Sequence, residues 1–233
     1  MEHDFSYIDE NLKKIRYNIA EAVSKYRKTV DTVRLMAVTK TVEPEAINHA
    51  VSLGIDLLGE NRVQEYQSKM DLYDKSAEVQ FIGHLQTNKV KYIINNVSMI
   101  QSVDSIKLAG EINRLAEANG KIMNILCEVN VGGEVSKSGV SPDMLLDLLY
   151  VAAEMKNIHV CGLMTIPPPS ESDVFLAKMQ EIFFNISERN INGINMDVLS
   201  MGMTHDYATA VKYGSTLVRI GTGLFGARIY NQQ

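Results

Sequence analysis

The feature that most limits the fold of this chain is an alternation. Short runs rich in Val, Ile, Leu and Met recur near 33–39, 56–59, 79–83, 98–102, 122–130, 158–163, 196–200 and 216–220. Between them lie segments whose apolar residues step by three and four, near 44–53, 62–73, 87–94, 105–118, 141–154, 173–189 and 205–212. The first pattern is that of buried strands and the second that of helices covering them. Eight strands with a helix between each successive pair predict an α/β fold, a parallel sheet closed into a (β/α)8 or TIM barrel. An open doubly wound sheet has the same periodicity, which does not by itself show closure. Ahead of the first strand, Phe5, Ile8, Leu12, Ile15, Ile19, Val23 and Tyr26 mark one amphipathic helix, so residues 1–30 are expected as an extra N-terminal helix packed on the barrel. No linker or low-complexity stretch interrupts the pattern, and "RIYNQQ" follows soon after the eighth strand; one domain over 1–233 is expected.

Charge excludes some partners. The 23 basic and 28 acidic residues give a net charge of −5 with no long run of either sign, which argues against nucleic-acid or membrane-surface binding. The acidic start "MEHDFSYIDENLKKI" has no signal-peptide core, and no segment reaches the roughly 18–20 apolar residues of a membrane span, so a cytoplasmic location is expected. Cys127 and Cys161 sit inside strand-like runs and read as buried thiols. His3, His49, His84, His159 and His205 are scattered without ligand spacing, so no metal site is expected.

In barrels of this kind the chemistry lies at the C-terminal ends of the strands, and phosphates are held by the loops after strands seven and eight. The seventh is followed by "LSMGMTHDYATAV", where Ser200 offers a hydroxyl and Gly202 a close backbone approach. After the eighth comes "RIGTGLFGAR", where Gly221, Thr222 and Gly223 suit an anion-binding nest. Taken singly, either set of glycines equally suits a tight turn. The match to G-x-G-x-x-G at Gly221, Gly223 and Gly226 does not indicate a dinucleotide fold, because no further helix, strand and ribose-binding acid follow.

One residue breaks its strand in an unusual way. In "RLMAVTKTVEPEAI" the apolar run of strand one ends on Lys40. A lone lysine there is ordinarily a solvated cap or ion pair. Closure of the barrel, however, sets strand one beside strand eight, near Arg219 and the glycine loop. An amine among cations and partly buried has a lowered pKa and forms Schiff bases. Lysine, phosphate cradle and inward arginine together suit pyridoxal 5′-phosphate, with its aldehyde on Lys40, its phosphate on the two loops and Arg219 against the pyridine nitrogen. A guanidinium cannot accept a proton, so Arg219 would keep that nitrogen unprotonated and the ring a weak electron sink. The other reading of Arg219 is an ion pair across the barrel mouth.

The stretches "AVTKTV" (37–42), "LLGENRVQE" (57–65), "FIGHLQTNK" (81–89), "IQSVDS" (100–105), "EVNVGGEVSKSGV" (128–140), "GLMTI" (162–166), "LSMGMTHDY" (199–207) and "VRIGTGLFG" (218–226) fall at most of the expected strand ends. Through them the chain resembles the pyridoxal phosphate homeostasis proteins of the YggS/PROSC type, themselves similar to the barrel domain of alanine racemase. The resemblance implies a fold-type III barrel with the cofactor as a Schiff base on Lys40, its ring facing Arg219 and its phosphate on Ser200, Gly202, Gly221 and Thr222. It also implies a cytoplasmic carrier or buffer of the cofactor that affects amino-acid and keto-acid balance, with apo-enzymes that need the cofactor as acceptors. Thr204 stands where many relatives have serine, and the hydroxyl is kept.

Asn61 and His84, just past strands two and three, are expected to flank the cofactor, with Gln86 and Asn88 as further candidates in the same loop; loop capping is the alternative for each. Met164 is expected to pack beneath the ring, and Lys137, in a Gly/Ser loop, to accept cofactor transiently as it leaves Lys40. No catalytic residue is assigned. An active racemase needs a second base, which alanine racemase draws from a further domain; the expected protein is therefore a monomeric carrier. The alternatives are a racemase-like enzyme on amino acids and a Schiff-base aldolase on a sugar phosphate, for which only Glu60 and Asp104 are placed as proton carriers.

Overall fold

A computed structural model describes residues 4–27, 32–134 and 137–227. Eight parallel strands, β1 (Arg34–Val38), β2 (Leu57–Glu60), β3 (Glu78–Phe81), β4 (Met99–Val103), β5 (Met123–Glu128), β6 (Ile158–Met164), β7 (Ile194–Ser200) and β8 (Leu217–Ile220), close into a barrel in chain order. The (β/α)8 expectation holds, and the open sheet is excluded because β1 pairs with β8, Met36 opposite Arg219 and Ala37 opposite Ile220.

The helices are α1 (Ser6–Tyr26), α2 (Pro44–Ser52), α3 (Val63–Lys69), α4 (Ile106–Ala118), α5 (Leu145–Ala153), α6 (Ser172–Ser187), α7 (Tyr207–Lys212) and the single turn α8 (Thr222–Phe225). Local chemistry sets several of their starts: Pro44 opens α2, and the Ser105 hydroxyl caps α4 by accepting from the Leu108 amide at 3.3 Å. None of the described helices is long and apolar enough to cross a membrane.

Strand alternation divides the apolar residues into two cores. One lies between strands and helices and includes Ile47, Phe81, Ile100, Ile112 and Leu176. The other fills the barrel lumen in two clusters, Met36, Val38, Leu57, Ile82 and Leu217, then Met99, Leu126 and Met164. Cys161 and Met164 both face this second lumen cluster although three residues apart, which a strict period of two forbids. The register shift at Gly162 resolves it: φ is +150°, and a Cβ there would lie 1.9 Å from the Val198 carbonyl oxygen. Both thiols are free, and burial pushes that of Cys127 up to about 12.

The N-terminal helix α1 buries Ile8, Leu12, Ile15, Ile19 and Ala22 and packs on α7 and α8. Asn11 donates to the Leu224 carbonyl at 3.0 Å and Asn18 to the Tyr207 hydroxyl at 2.8 Å. Tyr207 is thereby tied to α1. Residues 28–30 of the expected helix and the segment from Arg228 onward lie outside the described residues.

Three expectations change, the first being that the segment 62–73 divides into α3 and a 3-10 turn, Met70–Leu72. The segment expected as a helix over 87–94 is a 3-10 turn, Thr87–Tyr92, because its fully buried Val90 and Ile93 are three apart and eclipse in that geometry. The segment 141–154 divides into a 3-10 turn, Pro142–Met144, and α5.

Candidate functional site

Lys40 follows β1 by two residues and is half-buried. With Val38, Thr41, Gly221, Thr222 and Phe225 it lines a cavity of about 680 Å³ at the C-terminal end of the barrel. The two parts expected to meet on barrel closure therefore face one space. Arg219 is not in that wall. It lies two residues before Gly221, level with Met36, only 2% exposed.

Its guanidinium is held on two sides. Nη1 donates to the Ser200 hydroxyl at 2.6 Å and Nη2 to the Thr165 carbonyl at 2.8 Å. Ser200 in turn donates to Gln101 Oε1, and Gln101 Nε2 donates to Gln80 Oε1, both at 2.6 Å. One chain of hydrogen bonds thus crosses the lumen from β3 to β8 and fixes the arginine in place. Burial lowers its pKa to about 10, with Glu128 and Asp206 acting the other way, so it stays charged at neutral pH. Ser200 is fully buried and engaged with Arg219, rather than standing in the cavity wall beside Gly221.

The loops after β7 and β8 are joined to each other. Gly202 has φ +94°, and a Cβ there would lie 2.5 Å from that of Ala210 and 3.0 Å from the Tyr207 Cα. Its carbonyl accepts from the Arg219 amide at 2.9 Å. The Thr204 hydroxyl lies 3.3 Å from that of Thr222 and accepts from the Gly223 amide at 3.1 Å. A Cβ on Gly223 would come within 2.9 Å of Thr204 Cγ2. The result is a tight ledge of amides and hydroxyls beside Lys40.

Elsewhere on the mouth the side chains are ionisable. Glu128, at the end of β5, is 5% exposed. Burial first, and the Asp104 charge second, push it up to about 7; Arg219 acts against them. His84, with a side chain 60% exposed, lies 3.3 Å from the Ser138 hydroxyl and 3.6 Å from the Asp104 carboxylate. It sits on the outer rim, toward β4 and β5. Asn61 follows β2, and its Oδ1 is buried without a hydrogen-bond partner. Met164 is fully buried in the lumen against Met99 and Leu126. The Lys137 amide donates to the Glu134 carbonyl at 3.1 Å, and Val135 and Ser136 beside it lie outside the described residues. Glu60 is buried behind β2, raised by burial while hydrogen bonds from Thr39 and Tyr73 act the other way. That position removes it from the cavity side.

Sequence reasoning missed Gln80, Gln101, Thr165 and Glu128. Their signal was a polar residue inside an apolar run, as in "VQF", "IQS", "LCEV" and "MTI". Among the described residues no group of three His, Cys, Asp or Glu side chains could hold a metal ion. The donor set does fit an anionic ring-bearing cofactor. Lys40 offers an amine, and Gly221 and Thr222 offer backbone and a hydroxyl suited to an anion, all on one cavity.

Comparison with known proteins agrees with this geometry. The family model for the alanine racemase N-terminal domain matches residues 11–229. A pyridoxal phosphate homeostasis protein of Aquifex aeolicus is 41% identical over 226 residues, 95% of this chain and 98% of that protein. PipY of Synechococcus elongatus, solved with PLP bound, superposes with a TM-score of 0.75 at 29% identity, over 89% of this chain and all (100%) of that one. An alanine racemase of Clostridium difficile in complex with cycloserine superposes with a TM-score of 0.75 at 15% identity, over 97% of this chain and 62% of its own, a likeness of fold.

Proposed function

Because the chain belongs to the family of pyridoxal phosphate homeostasis proteins, on the barrel it shares with the alanine racemase N-terminal domain, we propose that it binds pyridoxal 5′-phosphate reversibly and buffers or delivers it inside the cell. The observation that carries this reading is the meeting of Lys40 with Gly221 and Thr222 in one cavity, with a guanidinium locked by Ser200 and Thr165 two residues before Gly221 on the same strand end. When bound, the cofactor supplies an electrophilic aldehyde on a conjugated ring, which a lysine amine can hold covalently.

The residues divide the work as follows. Lys40 supplies the amine. Gly202, Gly221, Thr222 and Thr204 take the phosphate side, where backbone amides and hydroxyls suit an anion and add no bulk. Arg219 presents a fixed donor toward the ring, and Ser200 acts through it by holding the guanidinium in place. Asn61 and His84 are assigned to flank the cofactor from the β2 and β3 side, and Met164 to pack beneath its ring. Residues 1–233 act as one domain, in the cytoplasm and as a monomer, with cofactor-requiring apo-enzymes as acceptors. The relatives are named for homeostasis of the cofactor and not for a reaction. The likeness to alanine racemase at 15% identity carries fold and no activity.

The deciding experiment is the visible absorption spectrum of the purified protein, before and after borohydride, with peptide mapping. Support is a band that borohydride removes while fixing cofactor mass to the Lys40 peptide, both lost in Lys40→Ala. If no band forms even with added pyridoxal phosphate, the reading fails. Substantial turnover of alanine that depends on Lys40 would replace the carrier by an enzyme.

A further inference from the structure

The short turn that carries Lys40 is strained. Thr39 to Val42 form a turn closed by the Val42 amide on the Thr39 carbonyl at 3.1 Å. Its third residue, Thr41, has φ +62°. A positive φ at that position of a turn ordinarily calls for glycine, and a β-branched residue there is an outlier. Such strain persists only where surrounding structure enforces it.

The enforcing group comes from α3. Glu65 accepts from the Thr41 amide through Oε1, and the same oxygen receives Lys69 Nζ at 2.6 Å. Lys69 also donates to the Val42 carbonyl at 2.8 Å. The two side chains are only 16% and 13% exposed. Burial alone would raise Glu65, but hydrogen bonds from Lys69 and the Thr41 amide hold it below the usual carboxylate range. Next to it, the Thr41 hydroxyl closes on the Lys40 carbonyl at 2.6 Å. The backbone at 41 and 42 is thus gripped from a helix that does not line the cavity, and the carbonyl of Lys40 is held by the hydroxyl of Thr41 within the turn itself.

We propose that Glu65, tied to Lys69, is a positioning residue: it pins Thr41 in the left-handed region and so fixes where the Lys40 side chain leaves the barrel. The proposal rests on the reading of Lys40 as the cofactor-holding residue. It also accounts for the last residue of "GENRVQE", which lies far from the cavity in sequence and does not line it.

The test is a small cycle of variants, each titrated with pyridoxal 5′-phosphate below its unfolding temperature. Glu65→Ala weakens binding by about tenfold, the size of one strained residue released. Glu65→Gln, which keeps an acceptor for the Thr41 amide, stays within about threefold of the parent. Thr41→Gly placed in the Glu65→Ala background recovers affinity to within about threefold, because glycine adopts the turn unaided. A merely structural role for Glu65 lowers the unfolding temperature of Glu65→Ala but leaves its affinity, and that of the double variant, at the parent's. The proposal is overturned by Glu65→Ala binding as tightly as the parent, or by a double variant no better than Glu65→Ala. Borohydride labelling of the parent is done first. No label on Lys40 removes the cofactor reading and the proposal together, whereas a label with an unresponsive Glu65→Ala removes the clamp alone.

Discussion

The two arcs of the barrel mouth are built from different materials. On the β7–β8 side the wall is backbone: Gly202, Gly221 and Gly223 bring chain against chain, and Thr204 and Thr222 join the loops with uncharged hydroxyls. On the β3–β5 side it is ionisable: His84, Asp104 and Glu128. A backbone wall has one shape and no titration, which suits a fixed anion. A wall of titratable groups changes charge with pH and with its occupant. The comparison teaches that one arc of the opening is fixed in shape while the other can change its charge at Glu128.

If the first arc is rigid because it has no spare volume, filling it must cost the most. Gly202→Val adds side-chain atoms where a Cβ already meets Ala210 at 2.5 Å, on a backbone at φ +94°. Strain and overpacking together are expected to remove about 3 kcal/mol or more of stability, read from the midpoint of urea unfolding. A midpoint close to the parent's would show that the loop has room and end the contrast.

The opposite arc predicts a pH dependence. Glu128 is raised from an ordinary 4.5 to about 7 by burial and by Asp104. Its folded value lies above its unfolded one, so the folded chain binds the extra proton between those two pH values. Its stabilising contribution is complete below about pH 4.5 and is lost as pH rises through about 7. The loss amounts to roughly 3 kcal/mol. Glu128→Gln is expected to flatten that part of the stability–pH curve of the cofactor-free protein, leaving the variant the more stable at pH 8 by roughly 2–3 kcal/mol. Parallel curves would mean that Glu128 is ionised in a wetter setting than its 5% exposure indicates.

Thr204→Val tests the join between the two loops at lower stakes. It removes the acceptor of the Gly223 amide and is expected to cost about 1 kcal/mol at every pH. That flat response is the counterpart of the Glu128 slope.

How much of this could be read in advance follows the same division. Periodicity located all eight strands, because a buried parallel strand and its covering helix differ in period whatever their partners. Lys40 and Arg219 stood out because each puts a charge against an apolar run, and the glycine loops because glycine lets backbone approach closely. What escaped depends on contacts between distant strands. Gln101 and Ser200 are 99 positions apart and meet only once the barrel closes. Neither sequence alone nor strand period says that the Ser200 hydroxyl accepts from Arg219. The bulge at Gly162, which decides that Met164 faces the lumen, likewise arises from the Val198 backbone on a neighbouring strand. The Glu65 grip on Thr41 depends on where α3 lies after folding.

The smallest effect discriminates most finely between the arcs. Asp104→Asn removes the like charge that helps to raise Glu128, while burial, the larger cause, is untouched. The folded pKa of Glu128 therefore falls part of the way toward 4.5, and the upper end of the pH window moves down with it. Below pH 4.5 both proteins hold the proton in both states, so this contribution cancels. At pH 8 the variant is expected to be more stable by a few tenths to about 1 kcal/mol. A cost of the opposite sign comes from the lost contact with His84, but at 3.6 Å with the histidine 60% exposed it is worth close to nothing. Stability curves of parent and variant, measured from pH 4 to 8, separate the two. A narrower decline shows that the ionisable arc responds as a coupled set, so that a charged occupant would change Glu128 as Asp104 does. A uniform offset at all pH values shows that solvent screens Asp104, and that Glu128 answers to burial and Arg219 alone.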